Sequence, residues 1–287
     1  METIKEKIRQ KNPFLFKIAT KLAEIRRKYR NLNWIKTIYV NFRTQKVHVA
    51  FKLPIFIYGR LTIVELAGKI VLDTPNIWSG MIRLGQNTDR FSASKGSAMI
   101  NIPSEGKLIF KGSSTFALDY AFDISGICIM GDCIGIGSGV CFRCWNKMSI
   151  GTGTRIAIDT RIFDTNFHYM RNVETGKVMR MLGEVHIGNF CWIGNRSTVM
   201  KDTYLPDYSI VAGNSLLNKD LRDSPEYPTF AGTPAKFIRS GNVRVFDNEL
   251  ENTLHRFFEE NPDAKFYIAE KGIIDETDGL RKISKKF

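Results

Sequence analysis

A six-residue repeat between Ile187 and Leu217 is the feature that most constrains the fold of this 287-residue chain. Glycine follows the first two beats, and glycine and asparagine adopt positive φ in tight corners at low cost. Such a period is typical of a parallel β-helix of triangular section, in which three six-residue sides make one coil. Several coils must stack, because one coil cannot bury its own apolar face. The repeated aliphatic residues are Ile187, Ile193, Val199, Leu205, Val211 and Leu217.

The same rhythm starts earlier in the chain and is interrupted before Ile187. It begins near Phe110 and, after one shift of phase, continues to a beat at His168. A polar segment, residues 169–184, then separates His168 from the restart of the repeat. We predict that this segment is a loop that leaves a regular stack.

The N-terminal part of the chain is strongly basic. Residues 1–60 contain 15 Lys or Arg against three Glu, and so carry +12 of the formal net charge of +13. Asn12-Pro13 is typical of a helix start. Basic residues lie opposite an apolar stripe with helical spacing. Residues 1–30 therefore either contact an acidic membrane surface or pack on the protein with a solvated charged face, and the sequence leaves both open. The stripe consists of Phe14, Ile18, Leu22, Ile25 and Tyr29.

These patterns divide the chain into three predicted segments. Residues 1–60 form a basic, partly helical extension, residues 61–240 form the β-helix, and residues 241–287 form a C-terminal helical segment. From Ile38 to Ile109 the sequence predicts short strands, because strand-like runs alternate with glycine-marked turns.

Composition narrows the classes of function. No stretch approaches the ~18 uninterrupted apolar residues of a membrane-spanning helix, and no signal peptide is evident, so we expect a cytoplasmic protein. Five cysteines predict reduced thiols, and the repeat points those of Cys141-Phe142-Arg143-Cys144 in different directions, so no metal site is expected. Nucleic-acid binding is disfavoured because the basic segment lacks a DNA-reading module.

Four motifs in fixed order carry a resemblance to a known family. V-H-I-G-N-F-C-W-I-G, V-A-G-N-S, N-K-D and A-G-T-P-A-K-F-I-R resemble the closing third of left-handed β-helix hexapeptide acyltransferases. That family includes galactoside and maltose acetyltransferases and the O-acetyltransferases of capsule and lipopolysaccharide synthesis. The resemblance covers residues 108–240. It implies a left-handed coil, an acetyl-CoA donor and a homotrimer whose donor groove lies between subunits.

The candidate catalytic residues lie where the repeat breaks. I-F-D-T-N-F-H resembles the D-x-D/N-x-H run that carries the family's catalytic histidine, which makes His168 the predicted general base; imidazole, with a pKa of about 6.5, suits this role. Asp164 is predicted to orient the imidazole or hold the acceptor hydroxyl, and Asn166 is a weaker candidate for acceptor binding. The alternatives are a histidine that ends a strand and ordinary corner residues. His186 is expected to be an outward surface residue.

The resemblance also implies the donor site and the reaction. Acetyl-CoA would bind along the groove, with cationic side chains near its phosphates. We predict an O-acetyltransferase that acts on a sugar hydroxyl in the synthesis of a surface polysaccharide: capsule, lipopolysaccharide or O-antigen. Two alternatives stay open: N-acetylation of an amino sugar or nucleotide-linked amino sugar, and a non-catalytic scaffold that docks at a membrane. The implied donor-binding residues are Trp192, Asn195, Gly213, Asn218, Lys219, Lys236 and Arg239.

Overall fold

The computed structural model describes residues 12–87 and 93–269. Residues 1–11 of the predicted basic extension and residues 270–287 of the predicted C-terminal segment therefore lie outside the described residues.

In the described part of the chain, the strands of the stack form three sheets of parallel strands, which the chain visits in turn; only β24 runs antiparallel to its neighbour in these sheets. The nine-stranded sheet contains β1 (Ile55–Ile57), β4 (Ile82–Leu84), β7 (Ser114–Phe116), β10 (Ile134–Ile136), β13 (Arg155–Ile156), β18 (Trp192–Ile193), β21 (Ile210–Val211), β23 (Thr229–Gly232) and the antiparallel β24 (Ala235–Arg239). The seven-stranded sheet contains β2 (Thr62–Leu66), β5 (Met99–Ile102), β8 (Ala121–Ile124), β11 (Cys141–Cys144), β14 (Arg161–Phe163), β19 (Thr198–Val199) and β22 (Leu216–Leu217). The six-stranded sheet contains β3 (Lys69–Leu72), β6 (Lys107–Phe110), β9 (Ile127–Met130), β12 (Lys147–Ile150), β17 (Glu184–Ile187) and β20 (Thr203–Leu205).

This order of strands confirms the predicted parallel β-helix with helical ends. Each side of a coil contributes one strand to one sheet, and its parallel partner lies in the next coil. The first coil begins at Ile55, shortly before the predicted boundary at residue 61. All six aliphatic beats of the repeat from Ile187 to Leu217 are buried in the interior of the stack. Burial of these side chains is the main favourable term that holds the coils together.

Among the described residues that precede β1, three helices form: α1 (Pro13–Tyr29), α2 (Trp34–Thr44) and α3 (Val47–Ala50). The prediction of strands from Ile38 onward is therefore wrong for residues 38–50. The reason lies in tertiary hydrogen bonds: the side chains of Thr37 and Asn41 in α2 pair with the open edge of β1. Asn41 Nδ2 donates to the Ile55 carbonyl at 2.6 Å, and its Oδ1 accepts from the Ile55 amide at 3.1 Å. Thr37 Oγ1 accepts from the Ile57 amide at 3.0 Å.

Because an edge strand left open invites pairing with other chains, α2 serves as the cap of the stack at its N-terminal end. We expect Asn41→Leu to leave the Ile55 N–H and C=O unpaired, at a cost of about 2 kcal/mol. Hydrogen exchange at the Ile55 amide should then be about 30-fold faster, while Arg43→Ala on the exposed side of α2 should leave it unchanged. Equal exchange in Asn41→Leu and the parent protein would contradict this role.

The C-terminal helix, α4 (Asn248–Glu260), begins where Asp247 accepts hydrogen bonds from the amides of Glu249 and Leu250. Just before it, Phe246 is buried against Cys133 and Phe190, beside the nine-stranded sheet. The chain therefore returns along the side of the stack after β24.

Candidate functional site

The chain leaves the stack at one corner, after β14, and returns at β17. The excursion contains a two-stranded antiparallel hairpin, β15 (Met170–Arg171) with β16 (Val178–Met179). A bridge between Thr165 and Leu182 joins its two ends. The excursion occupies the segment for which the sequence predicts a loop, and it begins and ends at the corner between the seven-stranded and six-stranded sheets.

His168 lies on this excursion, just beyond the bridge at Thr165. The preceding residue, Phe167, has a φ of 62°, and its amide donates to Thr165 Oγ1 at 3.0 Å, which turns the chain sharply at this point. The imidazole of His168 is exposed. A general base must reach the proton it removes, so this accessibility meets the first requirement for the predicted role.

Asp164 lies at the root of the excursion and is fully buried. Its two carboxylate oxygens accept from the backbone amides of Trp145 at 2.9 Å and Asn146 at 2.8 Å. Burial raises the pKa of this carboxyl, and these hydrogen bonds oppose the rise. No hydrogen bond joins Asp164 to His168 within the described ranges, so its contacts are those of a residue that holds the corner from which the excursion starts. Asn166 is half-buried, and its backbone N–H donates to the Met181 carbonyl at 3.1 Å.

A group of outward-facing side chains lies beside the start of the excursion. We name it the corner cluster, and it consists of Asp123, Arg143, Trp145, Phe163 and Phe167. The guanidinium of Arg143 lies 5.8 Å from the ring centroid of Phe163 and 5.2 Å from that of Phe167. Trp145 meets Phe167 edge to face at 5.5 Å, and its indole N–H donates to Asp123 at 3.2 Å. The cluster therefore places aromatic faces, one cation and one carboxylate beside the segment that carries His168.

The corner cluster was not predicted from the sequence, although its spacing carries a signal. Asp123, Arg143 and Phe163 are equally spaced along the chain, and they are partners in the registers of β8, β11 and β14. Residues at one outward position of successive coils form a ladder on the outer face of a sheet.

His186 lies on the outer face of the six-stranded sheet, as predicted, but it is not isolated. Its Nδ1 lies 2.7 Å from Ser149 Oγ, its Nε2 lies 2.8 Å from a carboxylate oxygen of Glu184, and its ring packs on Tyr204 at 4.5 Å. The hydrogen bond from His186 is the largest cause that lowers the pKa of Glu184. Both imidazole nitrogens are thus engaged within the protein, whereas no hydrogen bond to the His168 ring is found among residues 12–87 and 93–269.

The predicted donor-binding residues lie on three different parts of the surface. Asn218 and Lys219 are exposed and follow β22, at the same corner as the excursion. They lie two coils beyond the coil from which the excursion starts, which is about 10 Å along the stack axis. Asn195 and Gly213 lie one above the other at the preceding corner, where the Asn214 amide donates to the Asn195 carbonyl at 2.8 Å. The remaining three are exposed on strands of the nine-stranded sheet: Trp192 on β18, and Lys236 and Arg239 on β24.

This division means that a single chain does not bring all seven residues into one groove. Two lie at the corner of His168, and five lie at the preceding corner or on the nine-stranded sheet. The sides of a coil face in different directions, which separates residues that are close in sequence.

The described residues were predicted to hold no metal site and no disulfide bond, and the structure gives the following findings on metal ligands, thiols and long apolar helices. Within residues 12–87 and 93–269, no three His, Cys, Asp or Glu side chains are grouped to hold a metal ion. All five cysteines are free thiols. In the same two ranges, no helix combines the length and the apolar character needed to cross a bilayer.

The chain is similar to known proteins in both sequence and fold. No protein-family model matches the chain. A curated relative, a probable macrolide acetyltransferase from Lysinibacillus sphaericus, is 36% identical over 69 residues, which is 24% of this chain and 35% of the relative. The match thus spans about a third of that relative.

Solved structures with similarity to the chain include three acyltransferases. The polySia-specific acetyltransferase NeuO is 16% identical, with a TM-score of 0.42 over 71% of this chain and 99% of that chain. AntD, an N-acyltransferase from Bacillus cereus in complex with dTDP and 3-hydroxybutyryl-CoA, is 11% identical, with a TM-score of 0.37 over 73% and 89% of the two chains. The hexapeptide-repeat-containing acetyltransferase VCA0836 from Vibrio cholerae is 12% identical, with a TM-score of 0.30 over 71% and 86%. The sequence predicted a resemblance to hexapeptide-repeat acyltransferases, and proteins of this kind are among those to which the chain is similar.

Proposed function

We propose that this protein is an acetyl-CoA-dependent O-acetyltransferase that acts on a sugar hydroxyl, with His168 as general base. The observation that carries the proposal is the exposed imidazole of His168 on the excursion from the stack, beside the aromatic and charged corner cluster. The match to a probable macrolide acetyltransferase supports transfer of an acetyl group.

In the proposed reaction, His168 removes the proton from the acceptor hydroxyl as its oxygen attacks the thioester carbonyl. The resulting tetrahedral oxyanion collapses, the carbon–sulfur bond breaks, and the imidazolium returns the proton to the departing thiolate of coenzyme A. The products are an acetyl ester and the free thiol. Asp164 acts as a positioning residue in this scheme, because it fixes the corner from which the excursion starts.

The donor would bind along the corner between the seven-stranded and six-stranded sheets, where Asn218 and Lys219 lie, with its phosphates near cationic side chains. Since Trp192, Asn195, Gly213, Lys236 and Arg239 lie on other parts of the surface, we propose that a neighbouring copy supplies them to complete the groove, as in the predicted homotrimer. AntD was solved in complex with 3-hydroxybutyryl-CoA, a coenzyme A thioester of the class proposed here as donor.

The acceptor would lie on the outer face of the corner cluster. Aromatic rings such as those of Trp145 and Phe167 provide flat apolar faces, and Asp123 provides hydrogen-bond acceptors. Asn166 is the proposed further contact to the acceptor. A sugar of a surface polysaccharide, the predicted substrate class, offers both apolar ring faces and hydroxyl groups.

Transfer to a sugar amine is the second candidate, because the Asp123 carboxylate in the corner cluster can accept hydrogen bonds from an amine as well as from a hydroxyl. The two are separated by the product, because an ester is cleaved by dilute alkali and an amide is not. The test is to incubate the protein with acetyl-CoA and a panel of sugars, measure release of the thiol, and treat the product with alkali. We expect that thiol release depends on the sugar and that, when the acetyl group of acetyl-CoA is labelled, alkali removes the label from the product. An alkali-stable label would support N-transfer, and the absence of thiol release would favour the predicted non-catalytic scaffold.

Peripheral contact of residues 1–30 with an acidic membrane stays part of the proposal. All five residues of the apolar stripe of α1 are exposed, which favours a partner outside the chain. The last of them, Tyr29, also stacks on Trp34 of the same chain, so a helix that packs on the protein stays the alternative.

A further inference from the structure

Helix α2 is amphipathic in an inverted sense. Its buried residues, Thr37, Val40 and Asn41, include two polar side chains that hydrogen-bond to β1. Its outward face is apolar, and Ile35 is 82% exposed. In a helix that only covers a core, the apolar stripe faces the protein and polar residues face water. The outward side chains are Trp34, Ile35, Ile38, Tyr39 and Phe42, and together with Val47 and Phe51 they form what we call the cap face.

The cap face is continuous with neighbouring exposed aromatic residues. Phe42 meets Phe51 edge to face at 5.2 Å, and Trp34 stacks on Tyr29 of α1 at 5.8 Å. The exposed stripe of α1 thus meets the cap face through this ring pair. Contiguous apolar surface of this kind on a soluble protein usually marks an interaction site.

The positive charge around the cap face favours an acidic lipid surface over a second copy of the chain as its partner. Residues 12–60 contain eleven Lys or Arg and one acidic residue, Glu24, so this part of the protein carries a formal charge of +10. A second copy placed against the cap face would bring the same positive charge close to it. An acidic lipid surface would instead attract this positively charged part of the protein, with a binding free energy of about 1 kcal/mol for each basic residue near the headgroups. Trp and Tyr are also enriched where protein meets the headgroup region.

We infer that the cap face inserts into the interfacial region of an anionic lipid membrane, with the basic residues around it contacting the headgroups. This surface belongs to α2 and α3 and lies beyond residues 1–30, for which contact was predicted from the sequence. Because α2 bonds to the edge of the first strand, the membrane would meet the N-terminal end of the β-helix. The inference does not depend on the acetyltransferase activity.

The test compares the full chain with a double variant, Ile35→Ser with Phe42→Ser, in sedimentation with vesicles. A matched control replaces one exposed Phe and one exposed Ile at the other end of the chain, Phe266→Ser with Ile268→Ser. At low salt we expect strong binding to phosphatidylcholine vesicles that contain phosphatidylglycerol and weak binding to pure phosphatidylcholine. The cap variant should lose at least about tenfold in partition coefficient, and the control should match the parent protein.

Two further measurements guard against misfolding and self-association. Brominated lipids should quench tryptophan fluorescence of the parent protein, and Trp34→Phe should remove most of that quenching. Light scattering without lipid should give the same mass for the parent and the cap variant. The inference is overturned if the parent does not bind the acidic vesicles, if the cap variant binds them as well as the parent, or if the cap variant lowers the mass, which would show that a second copy covers the face.

Discussion

Replacing His168 with alanine is expected to lower the rate of acetyl transfer by at least ~100-fold, because the acceptor hydroxyl loses the group that takes its proton. Binding of coenzyme A should be unchanged, since the imidazole is proposed to act on the acceptor and not on the donor's phosphates. Thiol release at saturating acetyl-CoA and acceptor measures the first quantity, and calorimetric titration with coenzyme A measures the second. The variant should fold normally, because His168 is exposed.

His186→Ala is the control for this experiment, because it removes the other histidine of the repeat region. Its imidazole is held by Ser149 and Glu184, so its loss should affect the outer face of the six-stranded sheet and leave most of the transfer rate. The assignment of the base would be wrong if His168→Ala kept near-normal turnover. If instead His186→Ala abolished turnover, the network around His186 would be the catalytic centre.

The second large effect is expected for Asp164→Ala, and it concerns stability. The change leaves the partly buried backbone amides of Trp145 and Asn146 without their acceptor, and each unpaired group costs about 1–3 kcal/mol. We expect the free energy of unfolding to fall by about 3 kcal/mol and the thermal midpoint to fall by roughly 5–10 °C. Thermal unfolding followed by circular dichroism measures this change.

Two control variants isolate the cause. Asp164→Asn keeps one carbonyl acceptor and the side-chain shape, so it should lose less than half as much. Asp223→Ala removes an exposed carboxylate and should change the midpoint little. If Asp164→Ala proved as stable as the parent protein, the carboxylate would not hold the corner, and a direct role with His168 would have to be reconsidered.

The repeat from Ile187 to Leu217 was enough to predict the stack, because a period of six leaves few alternatives for where the apolar side chains can go. In this region Trp192 and its partner Ile210 are separated by the length of three hexapeptides, as in a regular coil. Earlier coils are longer, since Ser114 and its partner Ile134 are separated by more than three hexapeptides. The extra residues in each of these coils explain why the phase of the repeat shifts before Ile150.

The helical cap and the corner cluster were missed for a physical reason that they share. Both depend on contacts between segments whose own sequence patterns suggest something else. Residues 38–50 alternate like a strand, but Thr37 and Asn41 find hydrogen-bond partners on β1 only when α2 is helical. Tertiary contacts override local propensity in such cases. Arg143 and Phe163 meet only because the longer coil between them brings the two residues into register.

The site was predictable in part. The break in the repeat indicated where the chain leaves the stack, and His168 is exposed there. The environment of Asp164 was not predictable, because the same carboxylate in a D-x-D/N-x-H run can face the solvent or cap a buried corner. The three-way division of the donor residues was equally hidden, since their spacing in sequence does not tell which side of the triangle each one occupies.

The most direct test of the central claim is the position of the coenzyme A sulfur in a crystal structure of the full chain with coenzyme A bound. We predict that the sulfur lies at the corner of the excursion, facing His168, with space for an acceptor between the sulfur, the imidazole and the corner cluster. A sulfur that lies beside His186 on the six-stranded sheet, or on a surface remote from both histidines, would contradict it.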